Sequence, residues 1–315
     1  MTFFAFTRAG WIKGAASVSA WWSRGIRNQQ PVGGVLALFF SAAMGVGAGV
    51  RIGGSDLLGE AWTRMANDFA RRQQTEVRLQ LDGSRVGWTR LRDGRVDIGV
   101  LSFVSDGAPL PAEFDRIPLA YHVVGVGAWS EAPLFELSLA QLAAVFGGTG
   151  VKSAGVGERT TDGLAGHVGP GVPDLTIDLL RRVVMNDAEL RPSVIRQATP
   201  EALLAALRNA PGVALVVGNC ADLPGLKPLA IVRAPGRRGV LPTPENIHRG
   251  EYPLRLPVWL VFRREALPAL FPWLRFLLGD EVAEAFGQAR LVPVPRAARN
   301  EALFVLETQI VHRQK

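Results

Sequence analysis

Between Val50 and Leu101 the chain alternates short strands, turns of small residues and helices, with no internal sequence repeat. Val50–Gly54 reads as a strand ending in glycines. Residues 57–72 carry Leu58, Trp62, Met65, Ala66 and Phe69 at helical spacing, with Ser55 or Asp56 where an N-cap belongs. Residues 77–81 alternate as a second strand. The turn Asp82-Gly83-Ser84 leads into a short helix over 86–92, and 96–101 is a third strand. This order predicts a parallel sheet with right-handed crossovers. In such sheets ligands bind beyond the carboxyl ends of the strands. Those ends are Gly54-Ser55-Asp56, Asp82-Gly83-Ser84 and Ser102-Phe103. Each brings a hydroxyl, and two open helices, whose unpaired N–H groups and positive dipole end favour an anion. Ser55 or Ser84 alone reads as a plain N-cap. Three hydroxyls at three successive strand ends point to a site.

A second series follows, and 315 residues suffice for two cores. The apolar run 117–129 is long enough to cross between lobes. Residues 138–146 read as a capped helix, and the glycine-rich stretch 147–173 as loop. Asp174–Val184 is predicted helical, 194–196 a strand, and 199–208 a helix opened by Thr199-Pro200-Glu201. Strands at Gly212–Val217 and 257–262 and helices at 268–278 and 280–289 complete the pattern.

The N-terminus carries an address. Residues 1–30 hold Arg8, Lys13, Arg24 and Arg27 and no acidic residue, and 32–50 hold no charge. A basic segment, an apolar segment and a small-residue exit describe a secretory signal. The apolar stretch is also just long enough to span a bilayer as an uncleaved anchor. Either way the remainder is expected outside the cytoplasm, periplasmic or extracytoplasmic, with inner-membrane anchoring as the alternative. Cys220 is the only cysteine, so neither a disulfide nor a lipidated cysteine after the apolar stretch is available.

The formal net charge of +7 comes from scattered arginines rather than from a basic run interleaved with aromatics, which argues against nucleic-acid binding. Most of these arginines read as solvated helix faces. His122, His167, His248 and His312 form no metal-ligand pair, and no nucleophile elbow or phosphate-binding lysine loop occurs, so no metal, cofactor or catalytic residue is expected. Asp97 reads as structural beside its strand. Trp62, Trp88, Trp259 and Trp273 fall on apolar faces and read as core rather than as a sugar site.

Four stretches carry a resemblance. The first is Ile52-Gly53-Gly54-Ser55-Asp56 with Trp62 and Phe69. The second is Leu81-Asp82-Gly83-Ser84-Arg85-Val86-Gly87 with Leu91, Gly94, Asp97 and Ile98. The third is Ile117-Pro118-Leu119-Ala120-Tyr121 with 137–142 and Phe146-Gly147-Gly148. The last is Asn246-Ile247 with 250–254, 257–260 and 274–278. In this order, over about residues 50–295, the chain resembles the phosphate-binding receptors of bacterial phosphate ABC importers, within the type II periplasmic solute-binding proteins. The resemblance implies a two-lobed α/β fold, each lobe a mostly parallel sheet flanked by helices. Residues 50–122 plus 255–300 would form lobe 1, 123–254 lobe 2, 1–49 the signal peptide or membrane anchor, and 301–315 a C-terminal tail. It implies a monomer that captures a small phosphate-like anion between its lobes for an ABC permease of the inner membrane.

The ligand residues implied are Ser55, Ser84 and Ser102, with Gly54 and Gly83 shaping the loops and Asp56 accepting from a protonated phosphate oxygen. A carboxylate suits an anion site only when the ligand keeps a proton. The sequence also departs from the family. Where the second lobe normally has Gly-Ser-Gly-Thr, this chain has Gly169-Pro170-Gly171-Val172. Gly169 and Gly171 keep their places, but both hydroxyls are gone and Pro170 has no N–H to donate. His167, Arg159 or Arg181 would have to compensate. Arg85 stands where glycine is usual, either as a bidentate anion clamp or pointing to solvent. Phe103 stands where a polar residue is usual. A second function therefore stays open: an anchored sensor or scaffold with the same fold and a weakened or lost site.

Overall fold

In the computed structural model, residues 49–102, 110–147, 163–218 and 220–313 are described. The N-terminal segment expected to be a signal or anchor, Phe103 and Arg159 lie outside them. The first unit folds as β1 (Val50–Gly54), α1 (Gly59–Arg72), β2 (Val77–Gln80), α2 (Ser84–Arg92) and β3 (Ile98–Leu101). Then come β4 (Phe114–Trp129), β5 (Glu136–Ser138), α3 (Leu139–Phe146), β6 (Ala165–Val168) and α4 (Asp174–Val184). They are followed by β7 (Ile195–Arg196), α5 (Pro200–Asn209), β8 (Gly212–Val217), β9 (Leu226–Pro228), β10 (Ala230–Val232) and α6 (Pro244–Arg249). The chain ends with β11 (Arg255–Arg263), α7 (Leu267–Leu277), α8 (Asp280–Gln288), β12 (Val292–Pro293) and α9 (Arg296–Arg313).

The main sheet runs in the order β2-β1-β3-β11-β4-β8-β6-β7. β1 is parallel to β2 and β3, as the crossover pattern predicts. β6 is parallel to β7 and β8. The two parallel sets are joined through β4, a strand of 16 residues that pairs antiparallel with β11 over Phe114–Val123 and with β8 over Val124–Gly127. β11 is antiparallel to β3 as well, and its register against β4 shifts between Val258 and Trp259.

Two apolar cores flank this seam. One gathers Ile52, Trp62, Ile98, Leu260, Phe262, Trp273 and Phe286. The other gathers Val124, Phe146, Leu180, Leu215 and Tyr252. Along β4 the division falls between Ala120 and Tyr121, and on the return along β11 between Leu256 and Val258. Trp62 and Trp273 are buried, and Trp88 and Trp259 pack half-buried around a smaller cluster with Phe114, all as core. Asp97 takes the backbone N–H of Arg51 at 2.9 Å and its guanidinium at 2.6 Å, locking the start of β3 to β1.

One expectation is corrected. The stretch read as loop over 147–173 contains β6, which lies between β8 and β7 inside the second half of the sheet. Ala165-Gly166-His167-Val168 has no strand pattern of its own. Its missing bulk is what the site requires, because a Cβ on Gly166 would stand 3.1 Å from the Phe146 ring. Residues 301–313 continue α9, which packs Ala302 and Leu306 into the first core.

Candidate functional site

The carboxyl ends of β1 and β3 and the start of α2 are knitted together by backbone. Ser55 N–H donates to Val100 O at 2.8 Å, and Gly83 N–H donates to Gly54 O at 3.0 Å. Gly54 has φ +156°, and α2 approaches so closely that a Cβ on Gly87 would lie 2.7 Å from Gly54 Cα. This places the first turn of α2 against the end of β1. Its first helical bond runs from Gly87 N–H to Gly83 O, leaving the amides of Ser84, Arg85 and Val86 ahead of it.

The three serines have separate roles. Ser55 is fully buried, and its Oγ accepts from Leu57 N–H at 3.3 Å, which caps the turn beneath the strand end. Ser84 is the first residue of α2, not its cap; its Oγ accepts the Ser102 N–H at 2.8 Å. Ser102 is 1% exposed, and its own Oγ has no hydrogen-bond partner among the described residues. Buried hydroxyls are rarely left unpaired in this way.

A cleft of about 500 Å³ opens at this point. One wall is Asp56, the 82–86 segment and Ser102; the other is Leu175, Asp178, Arg181, Arg182 and Asp187, from α4 and the turn after it. Asp56, Gly83, Ser84, Arg85 and Ser102 are thus brought together at one opening. Gly54 and Ser55 lie behind it as support. Gly169 and Gly171 are not among the lining residues: the Gly169 amide is spent on Leu215 O at 2.8 Å, and Gly171 turns the chain at φ +68°. His167 is buried on β6 with Nδ1 at 3.1 Å from Gln197 Nε2, and burial lowers its pKa.

The charges sort themselves into used and unused. Asp82 accepts from Arg90 at 2.6 Å, and that bond holds its carboxyl below the ordinary range. Arg181 pairs with Glu189 at 2.7 Å, and Arg182 with Asp187 at 2.6 Å. Arg85, Asp56 and Asp178 have no side-chain hydrogen bond or ion pair among the described residues. The sequence reading missed Asp178, Arg182 and Asp187. Their only signal was the polar stripe at 178, 181 and 182 on α4, opposite Ile177, Leu180 and Val184, which looks like any solvated helix face.

His122 couples the seam to this cleft. It is fully buried on β4 opposite Leu256, where pairing passes from β11 to β8. Its Nε2 lies 2.7 Å from Thr176 Oγ1, in the first turn of the helix that supplies the far wall. Burial pushes the imidazole down to about 4. The unfolded chain, titrating near 6.5, then binds more protons than the folded one between those values, so stability falls as pH drops from about 6.5 to about 4. The maximum loss is about 3 kcal/mol. Denaturant titrations of wild type and His122→Gln between pH 7 and 4 check it: the wild-type slope should flatten in the variant, and equal slopes would contradict the assignment.

Two α/β lobes that share a strand and enclose a cleft at their strand ends define the fold of type II periplasmic binding proteins. Solved structures agree. "A possible phosphate binding protein" from Planctomyces limnophilus superposes with a TM-score of 0.65 at 15% identity, covering 84% of this chain and 99% of that one. An ABC-type phosphate transport receptor from Vibrio cholerae gives 0.59 at 15% identity, covering 78% and 100%. PstS from Borrelia burgdorferi gives 0.62 at 13% identity, covering 79% and 99%. At such identities the likeness establishes the fold. No protein-family model and no curated protein matches the sequence. These structural neighbours are binding proteins, and burial pushes the Cys220 thiol up to about 12, so it supplies no thiolate at neutral pH. Among the described residues no helix is long and apolar enough to cross a membrane.

Proposed function

We propose that this protein captures phosphate or a similar small oxyanion in the cleft and delivers it, after export, to an ABC permease of the inner membrane. The observation that carries the reading is the buried Ser102 Oγ beside the amides at the start of α2, all without a partner among the described residues. Hydroxyl, amides and helix dipole converge on one anion position. Arg85 adds a cation, and Asp56 accepts from an oxyanion that keeps a proton. In this reading 50–122 with 255–300 forms one lobe and 123–254 the other, and the monomer closes by bending where β4 and β11 cross the seam. The ligand rests mainly on the first lobe, because the Gly169-Pro170-Gly171-Val172 segment offers no hydroxyl and its first amide is already bonded.

Ser102→Ala is the sharpest variant. It removes a hydroxyl that has no partner among the described residues, so thermal stability without ligand stays level. Binding loses one charge-assisted bond of about 1.5–3 kcal/mol, a tenfold or larger fall in affinity. Calorimetry on the full-length chain with phosphate, sulfate and small carboxylates reads it. Failure of every anion to bind at millimolar concentration would overturn the receptor reading. It would favour the second one, a sensor or scaffold of the same fold, for which the altered second-lobe segment speaks.

A further inference from the structure

The two walls of the cleft differ in chemistry, and the difference bears on what is attached to the anion. On the first wall the groups unpaired among the described residues are the α2 amides, the Ser102 hydroxyl and Arg85, all donors, together with Asp56. On the far wall both arginines are consumed: Arg181 by Glu189 and by the carbonyls of Asp187 and Ala188, Arg182 by Asp187. What is left there is a carboxylate, Asp178, which lines the cleft with no side-chain partner among the described residues. A bare oxyanion would find donors beside Asp56 on one side and only a repelling charge on the other when the lobes close. A ligand with an oxyanion at one end and a cation at the other would satisfy both walls. The volume, about 500 Å³, accommodates more than a four-oxygen anion and lies in the range of small-molecule sites, about 300–1,000 Å³.

Resting on the oxyanion reading above, we infer that the preferred ligand is an ammonium-bearing oxyanion such as a phosphomonoester of a short amino alcohol. Its phosphoryl group sits at Ser84, Ser102 and the α2 amides, and its ammonium group faces Asp178. Asp178 is then the residue that selects among oxyanions, and lobe closure brings it to the ligand's cationic end.

Three probes of graded chemistry test this on the full-length chain by calorimetry: inorganic phosphate, ethyl phosphate and 2-aminoethyl phosphate. The last two share the two-carbon ester chain, and the second carries an ammonium group at its end. The expected result is a preference for 2-aminoethyl phosphate over ethyl phosphate of about tenfold, collapsing to near unity in Asp178→Asn. Equal binding of ethyl and 2-aminoethyl phosphate by the wild type would overturn the inference while leaving the oxyanion site standing. Binding of none of the three would overturn the oxyanion site as well.

Discussion

Gly54→Ala should leave a chain that does not hold its fold. The ideal Cβ at this position would stand 2.0 Å from Val100 O, a backbone atom of the neighbouring strand that is itself bonded to Ser55 N–H. The φ of +156° adds strain that no side chain relieves. Neither β1 nor β3 can retreat, since Asp97 fastens their starts together and α2 presses Gly87 against Gly54 from the other side. The expected cost is about 4 kcal/mol or more, in the class that unfolds marginal proteins. Gly83→Ala is the control. Its φ of +115° is also strained, yet nothing lies within 4 Å of the added methyl, so about 1–3 kcal/mol is expected. Denaturant midpoints by circular dichroism would separate the two. A Gly54→Ala protein within 1 kcal/mol of wild type, an order-of-magnitude threshold set by ordinary substitutions, would contradict the described strand end.

Arg299→Met should cost about 3 kcal/mol, the low end for breaking a buried charged network, because its carboxylate partner is at the surface. Arg299 is 6% exposed. Its guanidinium donates to Val294 O at 3.1 Å, to Leu278 O at 2.7 Å and to the Asp280 carboxylate at 2.7 Å. One planar group thus closes the end of α7, the start of α8 and the start of α9. Methionine fills the volume and leaves the carbonyls bare. Arg299→Lys keeps the charge but not the fork and should fall between. The hydrogen bond from Arg299 holds the Asp280 carboxyl below its ordinary range, so its stabilising part is present above that range and is lost as pH falls below it through the lowered folded value. Thermal melts of the three proteins at neutral pH check the ranking; equal melting temperatures would sink it.

The first half of the fold was legible because its strands carry an apolar run or an apolar alternation that ends at small residues, and each helix a spaced apolar face. The predicted strand Val50–Gly54 and helix Asp174–Val184 match the structure residue for residue. β6 was not legible, since Ala165-Gly166-His167-Val168 owes its strand form to β7 and β8 on either side rather than to its own pattern. The same limit governs the cleft. Serine at a strand end could be read as a candidate, but only the tertiary structure separates Ser55, whose hydroxyl is spent on a cap, from Ser102, whose hydroxyl is not. Asp178 on a charged helix face gains its meaning from what stands opposite it, which no local pattern records.

β4 has a consequence beyond joining two sheets. One uninterrupted strand gives its first ten residues to a ladder with β11 and its following residues to ladders with β8 and β9. Neither half can melt without stripping a paired edge from the other, so the molecule is built to lose its order all at once. Evolutionary change in one half is held to the same standard: an insertion within β4 would shift every inward side chain beyond it to the wrong face, in a half of the protein the insertion never touches.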